Sequence, residues 1–118
     1  MATDFIKVAI VGSRDFPSQY LVERLVYELP RDVTIVSGGA RGVDTWAELT
    51  ALHHKRETVV YRADWAKHGR VAGFVRNNEI VRNSDIIVAF HHMGSKGTKH
   101  TISLCKYLGK PCIVVRTP

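Results

Sequence analysis

Cysteine is scarce in this chain: 118 residues carry two, Cys105 and Cys112. Two cannot build the disulfide framework that staples small secreted domains, and their spacing matches no zinc pattern. Both read as small, buried apolar residues in a reducing compartment. Long hydrophobic runs are missing too. No apolar stretch approaches the roughly 18 residues that a membrane span needs. Met1 to Phe5 is short and polar, unlike a secretory leader. These absences favour a cytoplasmic protein. Low-complexity segments, internal repeats and linkers are also absent. What is present is ordinary globular composition, 45% apolar and 24% charged. The length fits one domain over 1–118. A chain of this size buries roughly 65% of its unfolded surface, enough for a core without staples. Acidic residues are the scarcer charge, 11 against 17 Lys and Arg, for a net charge of +6. The isoelectric point is near 9.6. That balance favours an anionic partner: a nucleotide, a phosphate ester or nucleic acid.

Strand and helix patterns alternate along the chain. Ile6 to Val11 is an apolar run ended by Gly12. Ser18 to Leu29 carries Leu21, Val22, Leu25, Val26 and Leu29 on one helical stripe, with Pro17 before it and Pro30 after it. Val33–Val36, Thr58–Tyr61, Asp85–Phe90 and Cys112–Val115 read as four more strands. Helices are expected over about Gly42–His54, Phe74–Asn83 and Gly97–Leu108, the last capped by Gly109. Arg62 to Gly73 reads as the longest loop, polar and irregular. Strands apolar on both faces and separated by helices imply a parallel sheet covered on both sides. The expected fold is α/β, a Rossmann-like three-layer sandwich with five parallel strands in the order 3-2-1-4-5. Ligands in such sheets bind at the carboxyl ends of the strands, beside the point where the order reverses.

Three turns lie at those ends. They are Gly12-Ser13-Arg14-Asp15-Phe16, Ser37-Gly38-Gly39-Ala40-Arg41-Gly42-Val43-Asp44 and Gly94-Ser95-Lys96-Gly97-Thr98. The last two run straight into helix N-termini, which offer unpaired N–H groups and about half a positive charge. Arg14, Arg41 and Lys96 can add charge-assisted bonds to an anion. One such turn is weak support for a phosphate site; three converging on one crevice are stronger. The Walker A spacing is missing, and so is the G-x-G-x-x-G fingerprint after the first strand, which disfavours P-loop NTPases and NAD dehydrogenases.

Four blocks, Val8 to Phe16, Ser37 to Asp44, Ala63 to Asn77 and Gly94 to Thr101, together resemble the SLOG superfamily. The resemblance is nearest to the small YspA/YpsA-related branch of DUF2493 type and covers nearly the whole chain. It implies a Rossmann-like domain that binds a nucleotide or nucleotide-derived ligand as a sensor or binding module, and it suggests a homo-oligomer. The LOG proteins of this superfamily cleave nucleoside monophosphates with the glutamate of a Gly-Gly-x-Gly-Thr-x-x-Glu loop. Here Gly94 to Thr101 occupies that pattern, with Ser95 at the second glycine and Thr101 at the glutamate. Threonine cannot act as a carboxylate base, which argues against phosphoribohydrolase activity. The Ser37 to Asp44 block also resembles the DprA proteins, which bind single-stranded DNA.

The leading expectation is therefore a nucleotide-type ligand with no required cofactor and no metal. The two alternatives are a nucleotide-processing hydrolase and a single-stranded nucleic-acid binder. Arg14, Arg41, Lys96, Gly97 and Thr98 are expected to hold phosphate, with Gly12, Ser13, Gly38 and Gly39 shaping the floor. Phe16, Ser37, Ala40, Gly42, Gly94 and Ser95 complete the three turns. Arg76 and Asn77 are expected contacts from the third helix. Ser13 reads as a donor to ligand rather than a nucleophile. Asp44 reads chiefly as a cap of the second helix, with a ribose hydroxyl or a metal as the alternative, and both Asp15 and Asp44 count among the expected ligand-binding residues. Asp15 and Glu79 are the candidate acid or base of the hydrolase alternative. Trp46 reads as core, and Trp65 either as a stacking platform or as a plug on the core. His91, His92 and His100 lack the partners of a metal site.

Overall fold

The computed structural model describes residues 5–117. Its five strands are β1 (Ile6–Gly12), β2 (Val33–Ser37), β3 (Thr58–Val60), β4 (Ile86–His91) and β5 (Cys112–Arg116). The helices are α1 (Gln19–Glu28), α2 (Val43–His53), α3 (Trp65–His68), α4 (Ala72–Arg82) and α5 (Lys96–Leu108). All strand pairs are parallel, in the order β3-β2-β1-β4-β5. This is the Rossmann-like sandwich that the alternating pattern predicts, and the order reverses at β1.

The two-faced strands feed two cores. Val8 and Ile10 of β1 and Val88 and Phe90 of β4 point to one side, where Val22 and Val26 of α1 and Val43, Ala47 and Ala51 of α2 cover them. Ala9, Val11, Ile87 and Ala89 point to the other side, under Ile80 and Val81 of α4 and Cys105 of α5. Period-two alternation in a strand thus decides which helix layer each residue meets. Cys105 is fully buried, while Cys112 is only half-buried beside it. Burial first, then the neighbouring Cys112, pushes the Cys105 thiol up to about 12.

Local signals explain several helix ends. Ser18 accepts from the Leu21 N–H at 3.3 Å and starts α1. Gly109 closes α5 in the left-handed region. The carbonyls at the end of α1 find an unexpected partner. Arg56 is buried, and its guanidinium donates to Pro30 O at 2.6 Å, to Tyr27 O at 3.3 Å and to Leu29 O. One of the basic residues in the charge count therefore serves the fold rather than a partner.

The span from Arg62 to Gly73 departs from expectation. It holds α3, started by Asp64 accepting from the Lys67 N–H at 3.0 Å, and a single 3-10 turn over Gly69–Val71. Helix α4 then begins at Ala72, two residues before the expected start. Trp46 is half-buried and packs against the α1–α2 core, whereas Trp65 is 56% exposed.

Candidate functional site

The β1, β2 and β4 ends converge, and a buried carboxylate ties two of their loops. Asp44 lies in the first turn of α2, 4% exposed. Its Oδ1 accepts from Gly12 N at 3.2 Å and its Oδ2 from Gly38 N at 3.1 Å. The Ser37 hydroxyl donates to the Asp44 carbonyl at 3.1 Å. Asp44 therefore does not cap its own helix, as its position suggests. Gly42 holds the N-cap position at φ 77, and a β-carbon there would lie 2.5 Å from the Arg14 carbonyl. Close packing of the β1 loop on the α2 start leaves the Asp44 carboxyl facing backbone N–H groups rather than water. Burial raises its pKa to about 6, against the pull of Arg76 and the backbone bonds.

A hydroxyl latch joins the β4–α5 loop to β1. Ser13 N donates to Phe90 O at 2.9 Å. The Ser13 Oγ accepts from His92 N at 3.0 Å and lies 3.3 Å from Thr98 Oγ1, itself 3.2 Å from Ser95 Oγ. Ser13 is 3% exposed, so its hydroxyl belongs to the scaffold and not to a free donor position for ligand. The Thr98 hydroxyl is engaged in the same way. What the α5 start presents to the cleft is backbone: the first-turn N–H groups have no acceptor one turn earlier.

Between these loops opens a cleft of about 700 Å³. Gly12, Ser13, Arg14 and Asp15 line it from β1, Ala40 and Asp44 from the β2 side, and Arg76 and Asn77 from α4. Gly94, Ser95, Gly97 and Thr98 close it from the β4–α5 loop, joined by His92, Met93 and Thr101. Gly38, Gly39 and Arg41 lie instead at a side cavity that shares Arg14, Ala40 and Arg76 with the main cleft.

The cleft carries charge of both signs: Arg14 and Arg76 share its lining with Asp15 and the buried Asp44. Arg76 Nη1 donates to Gly38 O at 2.6 Å and its Nε to Asn77 Oδ1 at 3.0 Å. Burial pulls the Arg76 pKa down, the Asp44 charge raises it, and the nearby Arg14 charge lowers it. Arg14 is exposed and has no hydrogen-bond or ion-pair partner among the described residues. Asn77 Nδ2 reaches Gly97 O at 3.4 Å and His100 Nδ1 at 3.3 Å, tying α4 to the first turn of α5. Burial lowers the His100 pKa, and the Phe74 ring packs on that imidazole at 4.4 Å.

Several expected site residues lie elsewhere. Phe16 is 3% exposed and packs edge-on against Phe90 in the core, because the turn closed by its N–H on Ser13 O folds it inward. Ser37 is fully buried and braces the Asp44 turn. Lys96 is exposed outside the cleft lining. Glu79 is exposed and points away from the cleft. It follows Asn77 by two residues, about 200° around a helix, so burying Asn77 turns Glu79 to solvent. Thr101, at the glutamate position of the LOG pattern, donates its hydroxyl to Gly97 O at 3.2 Å. Among the described residues no three His, Cys, Asp or Glu side chains group as metal ligands. Sequence reading did not single out Arg62, which lines the side cavity from the segment taken as an irregular loop.

Fold and cleft define a Rossmann-like α/β protein with a glycine-rich, arginine-bearing crevice at its switch point. Residues 2–68 match the family described as DNA recombination-mediator protein A, and the chain belongs to that family. It is 37% identical over 117 residues to the Gene 61 protein of Mycobacterium phage D29, covering 91% of this chain and 94% of that one. It is 42% identical over 57 residues to the DNA processing protein DprA of Streptococcus pneumoniae (strain ATCC BAA-255 / R6), covering 47% of this chain and 20% of that protein. In three dimensions it resembles DprA from Helicobacter pylori, whose structure was described for its single-stranded DNA binding mode. That match has a TM-score of 0.74 at 22% identity, over 96% of this chain and 66% of that chain. The pneumococcal DprA structure matches with a TM-score of 0.65 at 20% identity, over 96% of this chain and 60% of that one. At these identities the two structures speak to fold alone. The family match spans the β1 and β2 loops and ends before the β4–α5 loop. No helix among the described residues is long and apolar enough to cross a membrane.

Proposed function

We propose that the cleft binds single-stranded DNA by its sugar-phosphate backbone. One observation carries the reading: Arg14 has no partner among the described residues and lines a cleft that the helix starts border, with the Arg76 guanidinium near by. Fixed donors and guanidinium forks recognise phosphate oxygens in any base sequence. The family supports a polymer over a lone nucleotide, and the net charge of +6 agrees. A mononucleotide or nucleotide-derived ligand, the first reading of the sequence, would use the same groups. The hydrolase alternative loses its glutamate, since Glu79 faces solvent and Thr101 has no carboxyl; of its two candidates only Asp15 lines the cleft.

The test is competition. A fluorescent oligothymidylate is bound, then displaced by unlabelled single strand, by duplex of equal length, and by mononucleotides. Single strand should displace best, and Arg14→Ala should weaken binding about equally for all base sequences. Displacement by micromolar mononucleotide as effective as that by single strand at equal nucleotide concentration would replace this reading with the ligand-sensor one.

A further inference from the structure

The side cavity points to a second nucleotide position. We propose that Trp65 is a base-stacking platform and that Arg14, Arg41 and Arg62 hold the phosphate beside it. The inference rests on the reading of the main cleft as a single-strand path, and it extends that path past Arg76.

Three observations carry it. First, the two concavities are continuous in their walls: Arg14, Ala40 and Arg76 belong to both. A phosphate lying between Arg14 and Arg76 would therefore have one nucleotide in each. Second, the side cavity measures about 340 Å³. That is close to the smallest size of small-molecule sites, roughly 300 Å³, so it has room for one nucleotide and not for a longer segment. Third, its lining combines the two chemistries that non-specific single-strand sites use, cations for the backbone and an aromatic face for the base. Four arginines, Arg14, Arg41, Arg62 and Arg76, surround it. Arg41 has no hydrogen-bond or ion-pair partner among the described residues. Arg62 donates to Glu48 at 2.8 Å with one nitrogen, and its other terminal nitrogen lies against Gly39.

Trp65 itself is built into place rather than left loose. It is the first residue of α3, whose start is fixed by the Asp64 side chain on Lys67 N at 3.0 Å. The far edge of the indole lies 3.7 Å from where a β-carbon on Gly73 would sit, so that edge reaches the start of α4. It remains 56% exposed. An exposed tryptophan by itself means little. One held at the mouth of an arginine-lined concavity offers a base the stacking partner that no other side chain of the cavity supplies.

Only Trp46 and Trp65 fluoresce as tryptophan in this chain. In a Trp46→Phe variant the emission reports Trp65 alone. This protein is titrated with oligothymidylates of one to eight nucleotides, with emission and the anisotropy of a labelled strand followed in parallel. The expected result is quenching that saturates with the same Kd as the anisotropy change. Affinity should step upward between one and two nucleotides. Trp65→Ala should lose roughly 5- to 160-fold in affinity, the range for removing one stacked base, while Trp65→Phe keeps most of it. Binding by anisotropy with unchanged Trp65 emission and a Trp65→Ala affinity within twofold of the parent would overturn the subsite and leave the main cleft standing. No binding of any oligonucleotide would overturn both.

Discussion

Substituting Gly12 by alanine tests how tightly the β1 end must sit against its neighbours. A β-carbon on Gly12 would lie 2.5 Å from the Phe90 carbonyl oxygen, 2.9 Å from Phe90 Cβ and 2.9 Å from Val43 Cγ2. Two of these three neighbours lie on β4, the paired strand, and the third is a fully buried side chain. None is the free end of a flexible chain. Relief requires β1 and β4 to part locally, which stretches the bond from Ser13 N to Phe90 O and with it the latch to His92 and Thr98. Overpacking of this kind costs about 1–3 kcal/mol. Each kcal/mol lowers Tm by about 3 °C or more in a domain of this size. The control is Gly97→Ala, in the same cleft and in the first turn of α5, where an added β-carbon meets nothing within 4 Å. Alanine is preferred over glycine in helices by up to about 1 kcal/mol, so this variant should be as stable as the parent or slightly more so. Urea unfolding followed by circular dichroism measures both. A Gly12→Ala protein within about 0.5 kcal/mol of the parent, the usual span of surface changes, would refute the packing argument. So would equal losses in the two variants.

Other consequences follow from single residues. Asp44 takes up its proton near pH 6 in the folded chain, against 3.8 for an ordinary aspartate. The folded state therefore holds a proton that the unfolded chain lacks between those values. The stability of the parent relative to Asp44→Asn should rise as pH falls from 7 to 4, by about 2 kcal/mol. A difference that stays flat across that window would contradict the buried carboxylate. Arg56→Ala strips three carbonyls around the end of α1 of their donor. It should cost about 2 kcal/mol in chemical denaturation without changing oligonucleotide affinity; a loss of affinity at unchanged stability would place Arg56 in the binding surface instead. Ser13→Ala removes the latch hydroxyl and should lower both stability, by about 1 kcal/mol, and affinity. Full affinity in that variant would show that the β4–α5 loop holds its place without Ser13.

Much of the fold was legible because its signals are local. Runs such as Val8–Val11 and Ile87–Phe90, apolar on both faces, read as strands covered by helices on each side; the order β3-β2-β1-β4-β5 is one of the doubly wound orders that such a pattern allows. The three converging loops were legible for the same reason, since glycine-rich turns after such strands fall at the switch point. What escaped depends on partners distant in sequence. Phe16 stands in a polar turn, and only its contact with Phe90 shows that it belongs to the core. Asp44 has the position of a cap, yet it serves Gly12, 32 residues away. Arg56 looks like surface charge until the α1 carbonyls arrive beside it. Glu79 and Asn77 share one helix, and which of them faces the cleft is set by how α4 rolls onto α5. The segment after Arg62 carries a start signal at Asp64, but a single-turn helix has too little periodicity to announce itself.

The most direct measurement of the central claim is the salt dependence of oligothymidylate binding, made on the parent and on Arg14→Ala by fluorescence anisotropy. For single strands log Kobs should fall with log salt by about 0.7 per phosphate neutralised. The parent slope should correspond to several phosphates, and Arg14→Ala should lower it by about 0.7 while weakening affinity. A slope near zero in the parent, or one that Arg14→Ala leaves unchanged, would contradict a phosphate-binding cleft at the switch point.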